Sequence, residues 1–242
     1  MTKFQTKVKR KHKPHQAYYN KAGTRLPSCT TITGVMNKPF LVPWANKLGL
    51  EGIDVKAYVD SLAKAGTCAH LMVEMYYRER EPDVSAFTPD QQVLAKISFG
   101  KFEEWQHENN FEPIEIDGEK TIELNLVSEK YQFGGKSDLY GMLHGKRTLL
   151  DVKTAKAVYS DHFTQAGGYE ITLEENSFPV DDVRILRIGR GENETFECAG
   201  INPKMRKLHI ERFIVCRELY ELNKYIGGKT MTSIVKYNRD QS

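Results

Sequence analysis

Between residues 111 and 153 the chain gives up helical spacing for short apolar runs cut by turn signals, and this limits its fold more than any other feature. The runs cover 111–116, 121–128, 132–143 and 147–153, with Asp117-Gly118, Glu129-Lys130 and His144-Gly145 between them. Such runs read as strands of an antiparallel meander. Helical patterns lie on either side. Ser28 or Thr30 is placed to cap a segment ending near Asn37, and Pro43 suits the first turn of a helix before Trp44. Residues 52–64 and 66–80 read as two further helices, and 81–89, with Pro82 and Pro89, as a loop. Val93, Leu94, Ile97, Phe102 and Trp105 put apolar positions at helical intervals through 90–110. After the meander come a helix over 160–175, strands at 183–188 and 195–199, and a last helix opened by Pro203 and running to about 225. The order predicts an α/β core, one mixed sheet flanked by helices, with an N-terminal helical extension.

With 242 residues, the chain suits one domain: a basic arm over 1–26, an extension over 27–110, a core over 111–200 and the C-terminal helix. The net charge of +3 does not by itself imply a polyanionic partner. Its distribution is more telling, because Lys3, Lys7, Lys9, Arg10, Lys11 and Lys13 crowd the first residues. A basic arm gathers phosphate without reading sequence; a solvated terminus is the alternative. No apolar run reaches the roughly 18 residues of a membrane span, and the N-terminus lacks a signal-type segment. A soluble cytoplasmic protein is expected. Cys29, Cys68, Cys198 and Cys216 form no C-x-x-C pair, so reduced thiols are expected and no zinc or iron–sulfur site.

The chemistry concentrates in Gly134-Gly-Lys-Ser-Asp138 and Leu149-Leu-Asp151-Val-Lys153-Thr154. Alternation on a strand puts Asp151 and Lys153 on one face and Val152 on the other. A hairpin turning near residues 144–146 brings Asp138 alongside Asp151. Two adjacent carboxylates stay ionised at neutral pH when a cation lies between them. Hard oxygen donors suit Mg²⁺ or Mn²⁺, which polarise a phosphoryl oxygen and activate water. The Val152 carbonyl is a candidate ligand, and Lys153 is placed to orient that water or to neutralise charge building on the phosphorane. An isolated D-x-K is weak evidence, since solvated strands often carry it.

Further residues accompany it: Gly66 with His70 on a predicted helix, and Gln165 with Tyr169 four apart on the helix after the strand pair. The ordered set Gly66/His70, Gly135/Asp138, Asp151/Lys153/Thr154 and Gln165/Tyr169 resembles the PD-(D/E)XK nuclease superfamily, specifically its RecB-type branch. The entry segment Leu26-Pro-Ser-Cys-Thr-Thr-Ile32 is similar to the subgroup that includes the mitochondrial genome-maintenance exonuclease. The resemblance implies a restriction-endonuclease-like core. It further implies His70, Asp138 and Asp151 as metal ligands, Lys153 as catalytic lysine, and Gln165 and Tyr169 steadying the site or touching DNA. The implied activity is a DNA exonuclease acting on single strands or ends in recombination, repair or genome maintenance, leaving 5′-phosphate and 3′-hydroxyl products. An endonuclease and a non-catalytic nucleic-acid-binding relative are the alternatives. No Pro precedes Asp138, and Asp151 stands where the wider superfamily often has Glu. The cysteines do not fit the cluster-binding members.

Blander readings stand beside these. Glu74 either faces the cleft or pairs with Arg78 one turn on; the pair is preferred. Glu123 either binds a second metal or supports the site, or it is a plain exposed strand carboxylate. Thr154 and Lys156 are candidates for contact with DNA, a solvated lysine being the alternative for Lys156. Oligomeric state is left open by the sequence.

Overall fold

Backbone pairing between distant strands organises the chain. The computed structural model describes residues 17–233, so the basic cluster before residue 17 lies outside the described residues. The elements in order are β1 (Tyr18–Tyr19), β2 (Arg25–Leu26), α1 (Cys29–Thr33), α2 (Leu41–Leu50), α3 (Val55–Tyr77) and α4 (Pro89–Asn109). Then come β3 (Glu112–Pro113), β4 (Glu115–Ile116), β5 (Glu119–Lys120), β6 (Ile122–Ser128), β7 (Phe133–Leu143) and β8 (Lys146–Lys153). Last are α5 (Ser160–Glu175), β9 (Asp182–Ile188), β10 (Phe196–Gly200) and α6 (Pro203–Ser233). The architecture is mixed α/β, one mixed sheet flanked by helices.

The six-stranded sheet runs β10-β9-β8-β7, and β6 and β3 share the remaining edge of β7. β6, β7 and β8 form the antiparallel meander expected from the turn signals. β8 then pairs in parallel with β9, with Asp151 opposite Ile185, so α5 is the crossover that parallel neighbours require. One face of the sheet carries Leu149, Ile185 and Tyr140 against Phe163, Ala166 and Leu173 of α5 and Phe213 of α6. The opposite face carries Leu150, Val152 and Leu186 against Val73 and Tyr77 of α3 and Phe102 and Trp105 of α4. Along β8, Leu149 and Leu150 thus enter different cores, as a strand covered on both faces requires.

Several elements differ from the sequence reading: the strand expected over 111–116 is split into β3 on the main sheet and β4 paired with β5, and α1 stops at Thr33 instead of near Asn37. Residues 17–26, grouped with the basic arm, include the β1–β2 hairpin, whose Tyr18 is buried against β7. The helices expected over 52–64 and 66–80 are one continuous α3, because buried Ala65, Gly66, Cys68 and Ala69 hold the middle of it in the core. That packing outweighs the roughly 1 kcal/mol a helical glycine costs. α4 starts at Pro89, under a capping box formed by Thr88 and Gln91. α6 continues through Gly227 to Ser233 instead of stopping near 225. Among the described residues, no helix is long and apolar enough to cross a membrane.

Phe102 is fully buried, with the rings of Tyr76, Tyr77, Phe99 and Trp105 around it. Phe102→Ala is therefore expected to lower unfolding free energy by about 3–5 kcal/mol in urea titration. A loss under about 1 kcal/mol would show that this helical layer does not brace the sheet.

Candidate metal centre

β7 and β8 are joined by His144-Gly145, both left-handed at φ 49° and 76°, a turn whose twist suits an antiparallel pair. Pairing runs from Leu143 opposite Lys146 to Leu139 opposite Leu150 and then stops. The next pair in register would be Asp138 with Asp151. There the Asp138 side chain replaces the ladder, its Oδ2 accepting the Val152 N–H at 2.8 Å.

Pairing is also interrupted on the other edge of β7. β6 pairs Ile122 with Leu139 and Leu124 with Ser137 but skips Glu123, which stands opposite Asp138 in register. Glu123 is left-handed at φ 54°, a conformation costing about 1–2 kcal/mol for a residue with a Cβ. Ile122 packs in the α3/α4 core, yet Leu124 and Leu126 pack in the α5/α6 core. Residues two apart on a regular strand share a face, so β6 turns over at Glu123. β7 turns over as well, since Phe133 faces the α5/α6 core and Leu139 the α3/α4 core. Asp138 thus sits where the sheet exchanges faces, within reach of helices from both layers.

From one layer α3 brings His70, with Nδ1 at 3.3 Å from Asp138 Oδ1. Donor atoms of His70, Glu123 and Asp138 all lie within 4.8 Å of one another. From the other layer α5 brings Gln165, whose Oε1 accepts from Lys153 Nζ at 3.0 Å. Gln165 Nε2 donates to Tyr169 Oη at 2.8 Å and to Thr30 Oγ1 at 2.9 Å. Lys153 Nζ also donates to Asp151 Oδ1 at 3.0 Å. Asp151 Oδ2 is 2.8 Å from the same nitrogen but off hydrogen-bonding line, which leaves it buried with no hydrogen-bond partner.

Two glycines make these approaches possible. A Cβ on Gly66 would lie 2.7 Å from Thr154 Oγ1, so the bare backbone lets α3 carry His70 down to the end of β8. A Cβ on Gly135 would lie 2.8 Å from both Cys29 Sγ and Tyr169 Cδ1, where the Tyr169 ring passes over β7.

The charges divide between the two carboxylates. Burial raises the Asp138 pKa, but His70, Lys153 and the Val152 N–H outweigh it and hold the group well below the carboxylate range. Burial and the neighbouring Asp138 push Asp151 upward, against the pull of Lys153. Lys153 stays an ammonium: burial opposes its charge, and Asp151 and Asp138 more than restore it. Burial, then Lys153, pushes His162 down to about 4. The arrangement can hold a cation at one end and present a fixed ammonium at the other.

The sequence-derived residues fall into two groups. His70, Glu123, Asp138, Asp151, Lys153, Gln165 and Tyr169 converge, with Thr154 against α3 at the rim. Asp151 lies outside the closest donor trio, its carboxylate turned onto Lys153. Val152 meets the site through its N–H. Glu74 makes the preferred pair with Arg78, Oε1 to Nε at 2.9 Å, and Lys156 is exposed. Three participants were not singled out for the site. Thr30 holds Gln165 across 135 residues, with no local signal. Lys136 ion-pairs with Glu123, and its place two residues before Asp138 was a readable sign. His162, beside the Lys38–Asp161 pair, had none.

No family model matches the chain, and no curated protein matches its sequence.

Gly135→Ala is expected to cost about 1–3 kcal/mol, because the buried ring and thiol over it have no room to retreat. Thermal unfolding at neutral pH measures this; an unchanged midpoint would mean that Tyr169 is loosely held.

Proposed function

We propose that the chain is a metal-dependent deoxyribonuclease with a restriction-endonuclease-like core, acting inside the cell. The carrying observation is that His70, Glu123 and Asp138 converge at one end of a hydrogen-bonded Asp151–Lys153–Gln165 array in which Asp151 is buried and the other two are half-buried. A trio of one imidazole and two carboxylates fits a divalent cation, and Asp151 Oδ2, buried without a hydrogen-bond partner though ion-paired with Lys153, is a further hard donor outside the trio. Mg²⁺ or Mn²⁺ in such a donor set supplies a polarised phosphoryl oxygen and a more acidic water. The imidazole favours Mn²⁺ over Mg²⁺.

The chain's own groups account for the remainder. Lys153 presents a permanent ammonium to the charge that builds on phosphorus and, with its amine fixed by Asp151 and Gln165, need not reorganise as that charge forms. Gln165 is held in turn by Tyr169 and Thr30, so the lysine is oriented by a chain reaching from α5 to α1. Burial, then the nearby acidic groups Cys29, Asp151 and Asp138, keeps the Tyr169 hydroxyl protonated and able to act as a hydrogen-bond donor. His70 and Asp138 sit on different layers of the fold and meet only where β7 turns over.

Preference for single strands or free ends, and a part in recombination, repair or genome maintenance, rest on the RecB-type resemblance of the motif set. Mg²⁺- or Mn²⁺-dependent digestion of a labelled linear DNA, with a closed circle alongside, tests the reading; the circle should survive. Asp138→Ala, Asp151→Ala and Lys153→Ala are each expected to lower turnover by at least about 10²–10³-fold with circular dichroism unchanged. His70→Ala is expected to do so more mildly. Normal cutting by any of the first three would remove that residue from the mechanism. Rapid loss of the circle would favour the endonuclease, and binding of DNA without cleavage by wild type would favour the non-catalytic relative.

A further inference from the structure

Glu123 is strained, sits where two ladders break, and is already occupied. Its left-handed backbone, at φ 54°, turns β6 over and sets its carboxylate opposite Asp138. The outcome is a carboxylate only 11% exposed, offering one oxygen to the His70–Asp138 cluster and holding the Lys136 ammonium as well. Strain of this kind persists where surrounding structure enforces it, and it concentrates at functional sites. An ordinary strand glutamate would not need it.

Lys136 reaches Glu123 from β7, two residues before Asp138 and opposite Asn125 of β6. Its side chain is 32% exposed, so it has an open route to solvent that Glu123 lacks. With Glu123, Asp138 and Asp151 gathered in one place, the protein needs positive charge there before any metal arrives. Lys153 supplies it for Asp151, His70 lies beside Asp138, and Lys136 supplies it for Glu123. A divalent ion seated among the trio would lie within a few ångströms of the Lys136 ammonium. At that range, the repulsion between a single and a double charge is appreciable even with the dielectric of water, and it drives the ammonium outward.

We infer that Glu123 is the third protein ligand of the metal centre and that Lys136 is its internal counter-ion, expelled toward solvent when the divalent cation enters. This rests on the metal-dependent reading above and adds to it a cation-exchange step that sets the affinity for metal. No bond is made or broken beyond coordination, and the charge on Glu123 stays compensated throughout.

Mn²⁺ binding to the whole chain, followed by the electron paramagnetic resonance signal of free Mn²⁺, tests this without reference to cleavage. Lys136→Met keeps the donor set and removes the ion pair that the metal must break to reach Glu123, so it should bind Mn²⁺ about tenfold more tightly than wild type, the fold-change that about 1.4 kcal/mol of ion-pair attraction corresponds to. Glu123→Gln should bind at least about tenfold more weakly. In the double variant the gain from Lys136→Met should largely disappear, because exchange acts through Glu123; simple long-range repulsion would leave the gain intact. Unchanged or weaker binding by Lys136→Met overturns the inference, and so does a full gain in the double variant. Should Glu123→Gln fail to fold, Lys136→Met alone decides. Asp138→Asn separates the two levels. Loss of Mn²⁺ there, with wild-type affinity in Glu123→Gln, removes only this inference; no Mn²⁺ binding by wild type removes the metal-dependent reading with it.

Discussion

The structure turns on a place where the sheet fails to pair. At Asp138, β7 lacks its regular partner on both edges, and the backbone N–H of Val152 is satisfied by a carboxylate rather than by a carbonyl. A buried N–H left without any acceptor would cost on the order of 1–3 kcal/mol. The side chain that repairs the ladder is therefore structural as well as chemical, and its free oxygen is left facing His70. The left-handed Glu123 on the other edge completes the break, and together they let the sheet change faces within a few residues.

That reversal explains how two helical layers contribute to one cluster. A regular sheet separates its faces by its own thickness, so a residue from α3 and one from α5 would be kept apart. Here His70 arrives from the α3/α4 layer and Gln165 from the α5/α6 layer, and both reach groups at the ends of β7 and β8. Bare backbone at Gly66 and Gly135 allows the helices and the Tyr169 ring to come that close. Packing on each side then holds the opening in place, with Leu150 and Val152 buried on one face and Leu149 on the other.

Electrostatically the site is an unfinished account of charge. Asp138 is held ionised while Asp151 is pushed toward its neutral form, and Lys153 stays cationic between them. Partly buried ion pairs of this kind contribute little net stability, because desolvation offsets most of the attraction. Their presence fits the proposed metal site, in which acidic donors stand beside one fixed ammonium, better than it fits a role in stability.

Much of this could be read from the residues alone wherever the controlling interactions are local. His144-Gly145 dictates a tight turn, so the antiparallel pairing of β7 with β8 and the common face of Asp151 and Lys153 follow from chain geometry. Gln165 and Tyr169 meet because four residues make one helical turn. Tertiary contacts decided the rest. Nothing around Glu123 in the chain marks it as left-handed, since it lies within β6 rather than at a turn such as the one that holds His144 in that conformation. The single α3 through Gly66, the parallel seat of β9 on β8, and the reach of Thr30 to Gln165 likewise depend on partners remote in sequence. Local spacing determines which side chains share a face; which faces meet is settled only when separate layers compete to bury their apolar surface.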